Sequence, residues 1–293
     1  MKVGIFGQSN NEVTIKYVGQ LVELCQKYEV SMVIEENFYR SFRQHFKNTG
    51  IYTFVNYQDL DPQLDFFFSV GGDGTFLRTI TYIRDLEIPV IGINTGRLGF
   101  LANIQKEDIS KAFEQIMKGE FTVQKRSLLG VKALSGNTQL DNLNFALNEI
   151  TITRKNTASM IKVDTRLDHE FLTTYWSDGL IISTPTGSTG YSLSCGGPII
   201  SPSSKNIVLT PIAPHSLAVR PLVIPEQTYI ELHIDSRADE VLLTLDSRMY
   251  TLANKSKVII EKCPYYIKKV QLKDQTFIKT LREKLLWGED KRN

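Results

Sequence analysis

The chain lacks the residue patterns that mark several large classes of protein. Its three cysteines are odd in number and far apart, so the sequence supports neither a disulfide framework nor a Cys-x-x-Cys metal site. Its four histidines are scattered and include no His-Glu-x-x-His pattern, which argues against a zinc site built by the protein. Such sparse cysteine is typical of the reducing cytoplasm, where we expect the protein to reside.

The chain also lacks a large excess of charge and any long hydrophobic run. A net charge of +2 without a long block of Lys or Arg argues against a nucleic-acid partner. No apolar run approaches the roughly 18 residues that a membrane-spanning helix needs. The apolar start, residues 1–6, is too short for the core of a signal peptide. We therefore expect neither nucleic acid nor a membrane among its partners.

The chain has 293 residues, a length sufficient for one large or two medium domains. The spacing of its hydrophobic residues changes along the sequence. Over residues 1–122, short apolar strands alternate with helical patterns, which predicts a doubly wound α/β domain with a parallel sheet. Residues 123–264 alternate with a period of two and predict a mainly β domain. The segment 265–293 contains an amphipathic helix that needs a surface to cover its apolar face, and we assign it to the first domain.

Local patterns predict individual elements within this frame. A first helix is predicted over residues 11–28, with an apolar face formed by Val13, Tyr17, Leu21, Leu24 and Cys25. A second helix follows from the four-residue spacing of Phe38, Phe42 and Phe46. In the β domain, residues 135–137 (Ser-Gly-Asn) are typical of a turn.

The strongest chemical signal is Gly71-Gly72-Asp73-Gly74-Thr75, which follows the apolar run 65–70. A strand, a glycine turn and a helix in this order bring backbone N–H groups against a phosphate, because residues without a Cβ allow close approach. A carboxylate in such a turn would repel a phosphate. We therefore expect Asp73 to meet a metal ion or a hydroxyl group about to be phosphorylated, with capping of the helix as the plainer alternative.

Two common nucleotide-binding patterns are missing. The chain contains no Gly-x-x-x-x-Gly-Lys-Ser/Thr and no Gly-x-Gly-x-x-Gly. These absences argue against a P-loop nucleotidase and against an ordinary Rossmann dehydrogenase.

Three further polar clusters lie in the predicted β domain. Asn148-Glu149 interrupts an apolar strand, so one of the two side chains should point inward or into a cleft, although an exposed strand face is equally compatible. Residues 177–179 (Ser-Asp-Gly) are typical of a turn. Residues 184–198 are rich in Thr, Ser and Gly directly after a strand, a composition suited to holding a sugar, a base or a phosphate.

Together these motifs resemble the bacterial NAD kinases, and they occur in the order that this family shows. The first motif alone is shared with diacylglycerol kinases, sphingosine kinases and phosphofructokinases, whereas the full set is specific to NAD kinases. The matching segments are 71–75, 94–102 (Asn-Thr-Gly-Arg-Leu-Gly-Phe-Leu-Ala), 148–149, 177–194 and 214–221 (Pro-His-Ser-Leu-Ala-Val-Arg-Pro).

The resemblance implies transfer of the ATP γ-phosphate to the 2′-hydroxyl of the adenosine ribose of NAD, giving NADP. It also implies a divalent cation, Mg²⁺, carried with ATP, and a homotetramer or homodimer. Asp73 would be the general base, with Gly74 and Arg78 beside it in the nucleotide site, and Asn148 and Glu149 would bind the adenine and its ribose. The other dinucleotide contacts implied are Asp178, Thr189, Gly190, Tyr191, Ser192, Leu193, Ser194 and Ala213.

The sequence departs from the family pattern at three places. Gly190 stands where many relatives have Ala, and Trp176 stands where close bacterial relatives often have Arg. Residues 246–248 (Asp-Ser-Arg) replace a common Asp-Gly-Gln, so the resemblance assigns no ligand role to Arg248. Two alternatives stay open: a lipid kinase of the diacylglycerol type, and a non-catalytic sensor of NAD or NADP. The sensor would not need Asp73.

Overall fold

The structure, a computed structural model, describes residues 1–8, 12–45, 51–133, 140, 142–156 and 158–287. Phe46 and the turn predicted at 135–137 lie outside the described residues. The chain divides into two compact units. The first unit consists of Met1–Lys125 and Ile267–Asn293, and the second of Arg126–Tyr266. The predicted fold class, an α/β domain followed by a mainly β domain, is confirmed.

The first unit is a parallel sheet flanked by helices. Its elements are β1 (Lys2–Gly7), α1 (Glu12–Lys27), β2 (Ser31–Glu35), α2 (Glu36–Phe42), β3 (Tyr52–Phe54), β4 (Phe66–Gly71), α3 (Asp73–Ile83), β5 (Val90–Asn94), β6 (Ile104–Gln105), α4 (Ile109–Met117) and α6 (Phe277–Leu285). The strand order is β3-β2-β1-β4-β5, and every neighbouring pair is parallel, as the alternation of strands and helices predicts.

Strand β4 is covered on both faces, which explains its almost wholly apolar sequence. The ring of Phe67 fills the space that a side chain at position 4 would need, because a Cβ on Gly4 would lie 2.4 Å from it. The strand ends at Gly71, which is paired with Asn94 at the end of β5. The loops that follow the two strands therefore start side by side at the carboxyl edge of the sheet, where parallel sheets bind ligands.

Helix α1 buries most of the predicted face, because Leu21 and Cys25 are buried and Tyr17 and Leu24 pack against the core, but Val13 does not. Val13 is 42% exposed, whereas Val18 and Val22 are buried. Thr14 takes an inward position, because its hydroxyl group finds a partner in the hydroxyl of Thr95 at 3.3 Å. A polar residue with a hydrogen-bond partner thus displaces an apolar neighbour from the inner face.

The C-terminal helix α6 packs on the first unit, as predicted. Leu281 is buried, and the ring centroid of Phe277 lies 6.2 Å from that of Phe100. The side chain of Thr276 caps the N-terminus of the helix. The C-cap residue is Leu286, whose φ of 55° is left-handed.

The second unit consists of two antiparallel sheets. Its elements are β7 (Phe121–Ala133), β8 (Phe145–Ala146), β9 (Glu149–Arg154), β10 (Ile161–Leu167), β11 (Glu170–Ser177), β12 (Gly179–Ser183), α5 (Tyr191–Ser194), β13 (Asn206–Ile212), β14 (Leu222–Pro225), β15 (Ile230–Asp235), β16 (Glu240–Leu245), β17 (Arg248–Ala253) and β18 (Lys257–Leu272), with β7 beginning and β18 ending outside its bounds. One sheet has the order β14-β13-β12-β9-β16-β17, and the other contains β11-β10-β15-β18.

The core of the second unit is formed by alternate residues of these strands. Along β10 the residues are alternately buried and exposed, which is the pattern of a strand with one face on a core. Strand β12 is buried throughout, so it lies in the centre of its sheet between β9 and β13. Among the helices that the structure describes, none is long and apolar enough to cross a membrane.

Candidate functional site

The three glycines of the turn after β4 differ in what the protein itself requires of them. Gly71 has a φ of 155°, and a Cβ there would lie 2.2 Å from the hydroxyl of Thr75, so the fold demands glycine. At Gly72 and Gly74, a Cβ would meet no atom of the described residues within 4 Å, and φ is not positive. Since packing does not require glycine at these two positions, the open space beside them is room for a ligand.

Helix α3 begins in this turn without a side-chain cap, since its N-cap residue is Gly72. The N–H groups of Asp73 and Gly74 therefore point out of the helix, where the helix dipole favours an anion. A pocket of about 500 Å³ lies at this place, lined by Gln8, by the glycine turn and by residues 94–97. Exposed backbone donors and open glycines make it suited to phosphate groups.

The carboxylate of Asp73 holds the loop after β5. Its Oδ2 accepts the N–H of Phe100 at 2.8 Å, and its Oδ1 accepts those of Leu101 at 3.0 Å and Ala102 at 2.9 Å. A Cβ at Gly99 would lie 1.9 Å from Oδ1, so only glycine fits there. The bonds go to a neighbouring loop, so the alternative interpretation, that Asp73 caps its own helix, is wrong.

These bonds limit what else the Asp73 carboxylate can do. An ionised carboxylate offers about four lone-pair sites, and the N–H groups of Phe100, Leu101 and Ala102 fill three of them. The remaining acceptor site is on Oδ2. One further donor, such as a hydroxyl group, can be accommodated without disturbing the loop.

Asn94 holds the wall of the pocket opposite the glycine turn. Its buried side chain donates from Nδ2 to the carbonyl oxygens of Arg97 at 2.7 Å and Ala102 at 3.1 Å, and its Oδ1 accepts the N–H of Gly96 at 2.8 Å. The turn of residues 94–97 is thereby fixed in shape.

Arg78 lies one helical turn beyond Gly74 and is exposed. Its guanidinium carbon lies 5.7 Å from the ring centroid of Phe6, and its side chain hydrogen-bonds Tyr82. Arg78 is not among the described residues that line the pocket, whereas Gly74 is.

In the second unit, the Asn148-Glu149 pair is held by Asp246, whose buried carboxylate lies in the turn between β16 and β17. Asp246 accepts the N–H groups of Leu147 at 2.9 Å, Asn148 at 2.7 Å and Glu149 at 3.2 Å. Burial raises the pKa of Asp246, while the three N–H groups and the nearby Arg248 oppose this rise. The carboxylate fixes the backbone from which the two polar side chains project.

Those two side chains carry buried acceptors that lack a donor among the described residues. Asn148 Oδ1 and Glu149 Oε2 are both inaccessible to solvent, and neither has a hydrogen-bond partner in the part of the chain that the structure describes. Burial, and next the charge of Asp246, raise the pKa of Glu149 to about 8, and a backbone N–H from Tyr191 opposes this. Buried acceptors are normally satisfied, so two adjacent orphans indicate a ligand that brings hydroxyl or amino groups.

The Thr/Ser/Gly-rich loop folds against this pair. Thr184 donates from its hydroxyl to the carbonyl of Leu147 at 2.6 Å and from its N–H to the carbonyl of Asn148 at 2.9 Å. A Cβ at Gly190 would lie 3.2 Å from Glu149 Oε2. Gly190 therefore leaves space beside the unsatisfied oxygen.

Two predicted ligand residues of this loop use their side chains within the protein. The hydroxyl of Thr189 donates to the carbonyl of Thr186 at 3.3 Å. Ser192 is buried, and its hydroxyl is 2.8 Å from that of Thr210. Both side chains stabilise the loop in this arrangement.

The other loop residues are more accessible. Tyr191 and Ser194 are exposed, and Leu193 is half-buried. Burial, followed by the charges of Cys195, Asp178 and Glu149, raises the pKa of the Tyr191 phenol. Tyr191 thus lies within the electrostatic reach of both acidic residues.

Asp178 and Ala213 lie at the adjoining ends of β12 and β13. Asp178 Oδ2 is 3.2 Å from Arg154 Nη2, and its N–H donates to the carbonyl of Ile212 at 3.0 Å. Ala213 has a φ of 44°, an uncommon conformation for a residue with a Cβ. Such strained positions concentrate at functional sites.

Trp176, the departure from the family pattern that precedes Asp178, is 46% exposed. Its ring stacks on His215, with centroids 4.8 Å apart and an interplanar angle of 24°. The N–H of His215 also donates to the Trp176 carbonyl at 2.8 Å. The two rings therefore form one continuous aromatic surface near the ends of β11 and β13.

Sequence reasoning missed Asp246 and Arg248 as parts of the site. Arg248 Nη2 lies 3.8 Å from Asp246 Oδ2 and also donates to the carbonyl of Phe145. It thus also holds the segment that leads to Asn148, at residue 145. Asp246 in a tight turn after an apolar strand was the available signal, but nothing local indicates which backbone it binds.

Comparison with known proteins identifies relatives along the whole chain. Residues 3–121 match the ATP-NAD kinase N-terminal domain, and residues 147–272 match the ATP-NAD kinase C-terminal domain. The NAD kinase of Christiangramia forsetii is 51% identical over 294 residues, and that of Flavobacterium johnsoniae is 48% identical over 294 residues, with 100% of each chain covered in both cases.

Two solved structures are similar in fold. Yeast NADH kinase complexed with NADH gives a TM-score of 0.88 at 27% identity, covering 100% of this chain and 89% of that chain. An NAD kinase from Archaeoglobus fulgidus in complex with ATP gives a TM-score of 0.75 at 25% identity, covering 98% of this chain and 99% of that one.

Proposed function

This chain belongs to the NAD kinase family and phosphorylates NAD to NADP, and we propose that the residues described above divide the work between two substrates. The pocket of the first unit binds the phosphate groups of ATP. The polar residues of the second unit bind NAD.

The observation that carries this proposal is the pair of unsatisfied acceptors, Asn148 Oδ1 and Glu149 Oε2. Adenosine offers what they lack, because its amino group and its ribose hydroxyls are hydrogen-bond donors. A nucleoside that satisfies both oxygens removes the cost of leaving them buried without a partner, about 1–3 kcal/mol each. We propose further contacts with NAD from Asp178, from the loop of residues 189–194 and from Ala213.

We propose that Asp73 receives the 2′-hydroxyl proton of the ribose. The free acceptor site on Oδ2 is suited to one hydroxyl group, and the 99–102 loop keeps the carboxylate from turning away. Phosphoryl transfer has a loose transition state, so orienting the hydroxyl is most of the work and the proton moves late. Gly74 would approach the phosphates through its backbone, and Arg78 would add positive charge near them.

The donor is proposed to enter as ATP together with Mg²⁺. Among the described residues no group of three His, Cys, Asp or Glu side chains could hold a metal ion, and the Asp73 carboxylate is largely occupied by backbone N–H groups. ATP oxygens would therefore supply most of the ligands of the cation. Assembly into a homotetramer or homodimer and a cytoplasmic location stay predictions.

The comparisons favour NAD kinase over the two alternatives, because the family models match both parts of the chain. One assay tests the function directly. The purified protein is incubated with ATP, Mg²⁺ and NAD, and NADP is measured with an NADP-specific dehydrogenase. We expect NADP to form in proportion to enzyme and time. Phosphorylation of diacylglycerol instead, or binding of NAD without turnover, would overturn the proposal.

A further inference from the structure

The phosphate pocket of the first unit contains one charged side chain among its described lining residues, Arg97. The other lining residues are glycines and uncharged polar residues. Backbone N–H groups alone neutralise little of the charge of a triphosphate, so a cation is expected at this pocket.

The backbone of Arg97 is held by a hydrogen bond, whereas its side chain projects without a polar contact to the described residues. Its carbonyl accepts the Asn94 side chain at 2.7 Å, which fixes the backbone of the turn. Among the described residues, no hydrogen bond or ion pair is formed by the guanidinium group itself. The residue is exposed, so its five N–H donors are available to a ligand.

Two other cations of the first unit are arranged differently. Lys106 Nζ lies 3.5 Å from the carbonyl of Thr95, and Arg78 lies over the ring of Phe6. Neither of them lines the pocket. Arg97 is therefore the side chain best placed to meet a phosphate there.

We propose that Arg97 binds the phosphate chain of the donor nucleotide through its guanidinium group, an inference that rests on the proposed function of this pocket. The planar fork of arginine matches two phosphate oxygens at once, which a lysine cannot do. Arg97 is thus a binding residue for the phosphates of the donor, and it has no part in binding NAD.

The test compares Arg97→Ala and Arg97→Lys with Arg40→Ala, which removes an exposed arginine paired with Glu36 in the same unit. We expect Arg97→Ala to raise KM for ATP by about 10- to 100-fold, the effect of losing charge-assisted hydrogen bonds. Arg97→Lys should recover part of this loss. KM for NAD and the melting temperature should change in none of the three variants.

Direct titration with ATP and with inorganic tripolyphosphate separates this inference from the proposed function. Because Arg97 is proposed to contact phosphate only, Arg97→Ala should weaken binding of both compounds by the same factor, whether or not the wild-type protein turns over NAD. Unchanged affinity for both, or a loss confined to ATP, would overturn the role of Arg97. Absence of NADP formation by the wild type would instead overturn the proposed function.

Discussion

The carboxylate of Asp73 accepts the backbone N–H of Ala102 at 2.9 Å, and so joins the first turn of α3 to the loop that follows β5. With the bonds to Phe100 and Leu101, one side chain orders a loop 27 to 29 residues away in sequence. Asp73 therefore has a positioning role in addition to the proposed role as acceptor of the ribose proton.

Asp73→Asn should lower kcat by about 10²–10⁴-fold, the usual contribution of a general base. NAD binding should be retained, because the other residues that we propose to bind NAD lie in the second unit. The amide group also replaces one acceptor oxygen by a donor, so the amides of residues 100–102 should exchange hydrogen faster. Asp85→Asn, which changes an exposed carboxylate bonded to Tyr57, is the control.

Gly99→Ala separates the two roles of Asp73. It crowds the carboxylate without removing it, since the new Cβ would lie 1.9 Å from Asp73 Oδ1. We expect a smaller loss of kcat than for Asp73→Asn, measured under the same conditions. Equal losses would assign the whole effect to the loop, and near wild-type kcat in Asp73→Asn would show that the base assignment is wrong.

Alanine variants at the three glycines of the turn should differ in stability and in ATP binding. Gly72→Ala and Gly74→Ala should leave the melting temperature nearly unchanged, because a Cβ at either position meets no described atom within 4 Å. Both should weaken ATP binding by filling space next to the phosphates. Gly71→Ala should instead lower the melting temperature, because of its φ of 155° and the contact with Thr75. Thermal unfolding and ATP titration of all three variants test this division, and tight ATP binding by Gly72→Ala and Gly74→Ala would contradict it.

The raised pKa of Glu149 predicts that the stability of the ligand-free protein depends on pH. Its pKa is about 8 in the fold against an ordinary 4.5, so the folded state holds a proton that the unfolded state releases between these values. The contribution of Glu149 to the free energy of unfolding is fully present below pH 4.5 and is lost as the pH rises through 8. Glu149→Gln should therefore be more stable than the wild type at pH 8 by an amount on the order of 4 kcal/mol, and nearly equal at pH 4.5.

Urea unfolding of both proteins across this pH range measures the difference. Glu240→Gln is the control, because Glu240 is exposed and paired with Lys155 at 2.7 Å. A stability difference that does not change with pH would show that Glu149 is ionised in the fold.

Asp246→Ala should remove the support of the Asn148-Glu149 pair. Three N–H groups, those of residues 147–149, would lose their acceptor in a buried place. We expect a loss of about 3 kcal/mol or more in the free energy of unfolding and at least a tenfold weaker affinity for NAD. Asp239→Ala, at an exposed position of the same unit, should change neither. Full NAD affinity in Asp246→Ala would show that the pair does not depend on this support.

Much of the fold could be predicted because its signals are local. The apolar run before Gly71 and the glycine turn after it specify a strand, a turn and a helix start within ten residues, and the structure has all three. The inner face of α1 was predicted less well, because the inward position of Thr14 depends on Thr95 from another loop.

The parts of the site that sequence reasoning missed depend on distant contacts. Asp73 and Ala102 are brought together by the pairing of β4 with β5, and Asn148 meets Asp246 because β9 pairs with β16. A carboxylate in a turn shows that some donor must satisfy it, but the donor follows only from the strand order. Arg248 departs from the family pattern, and its role follows only from the carbonyl that it binds.

The central claim is that the unsatisfied oxygens of Asn148 and Glu149 receive NAD, and calorimetric titration of NAD into Asn148→Ala tests it most directly. The matched control is Asn206→Ala, at the start of β13. We predict at least tenfold weaker NAD binding for Asn148→Ala, with unchanged ATP affinity, and wild-type behaviour for Asn206→Ala. Wild-type NAD affinity in a correctly folded Asn148→Ala variant would contradict the account.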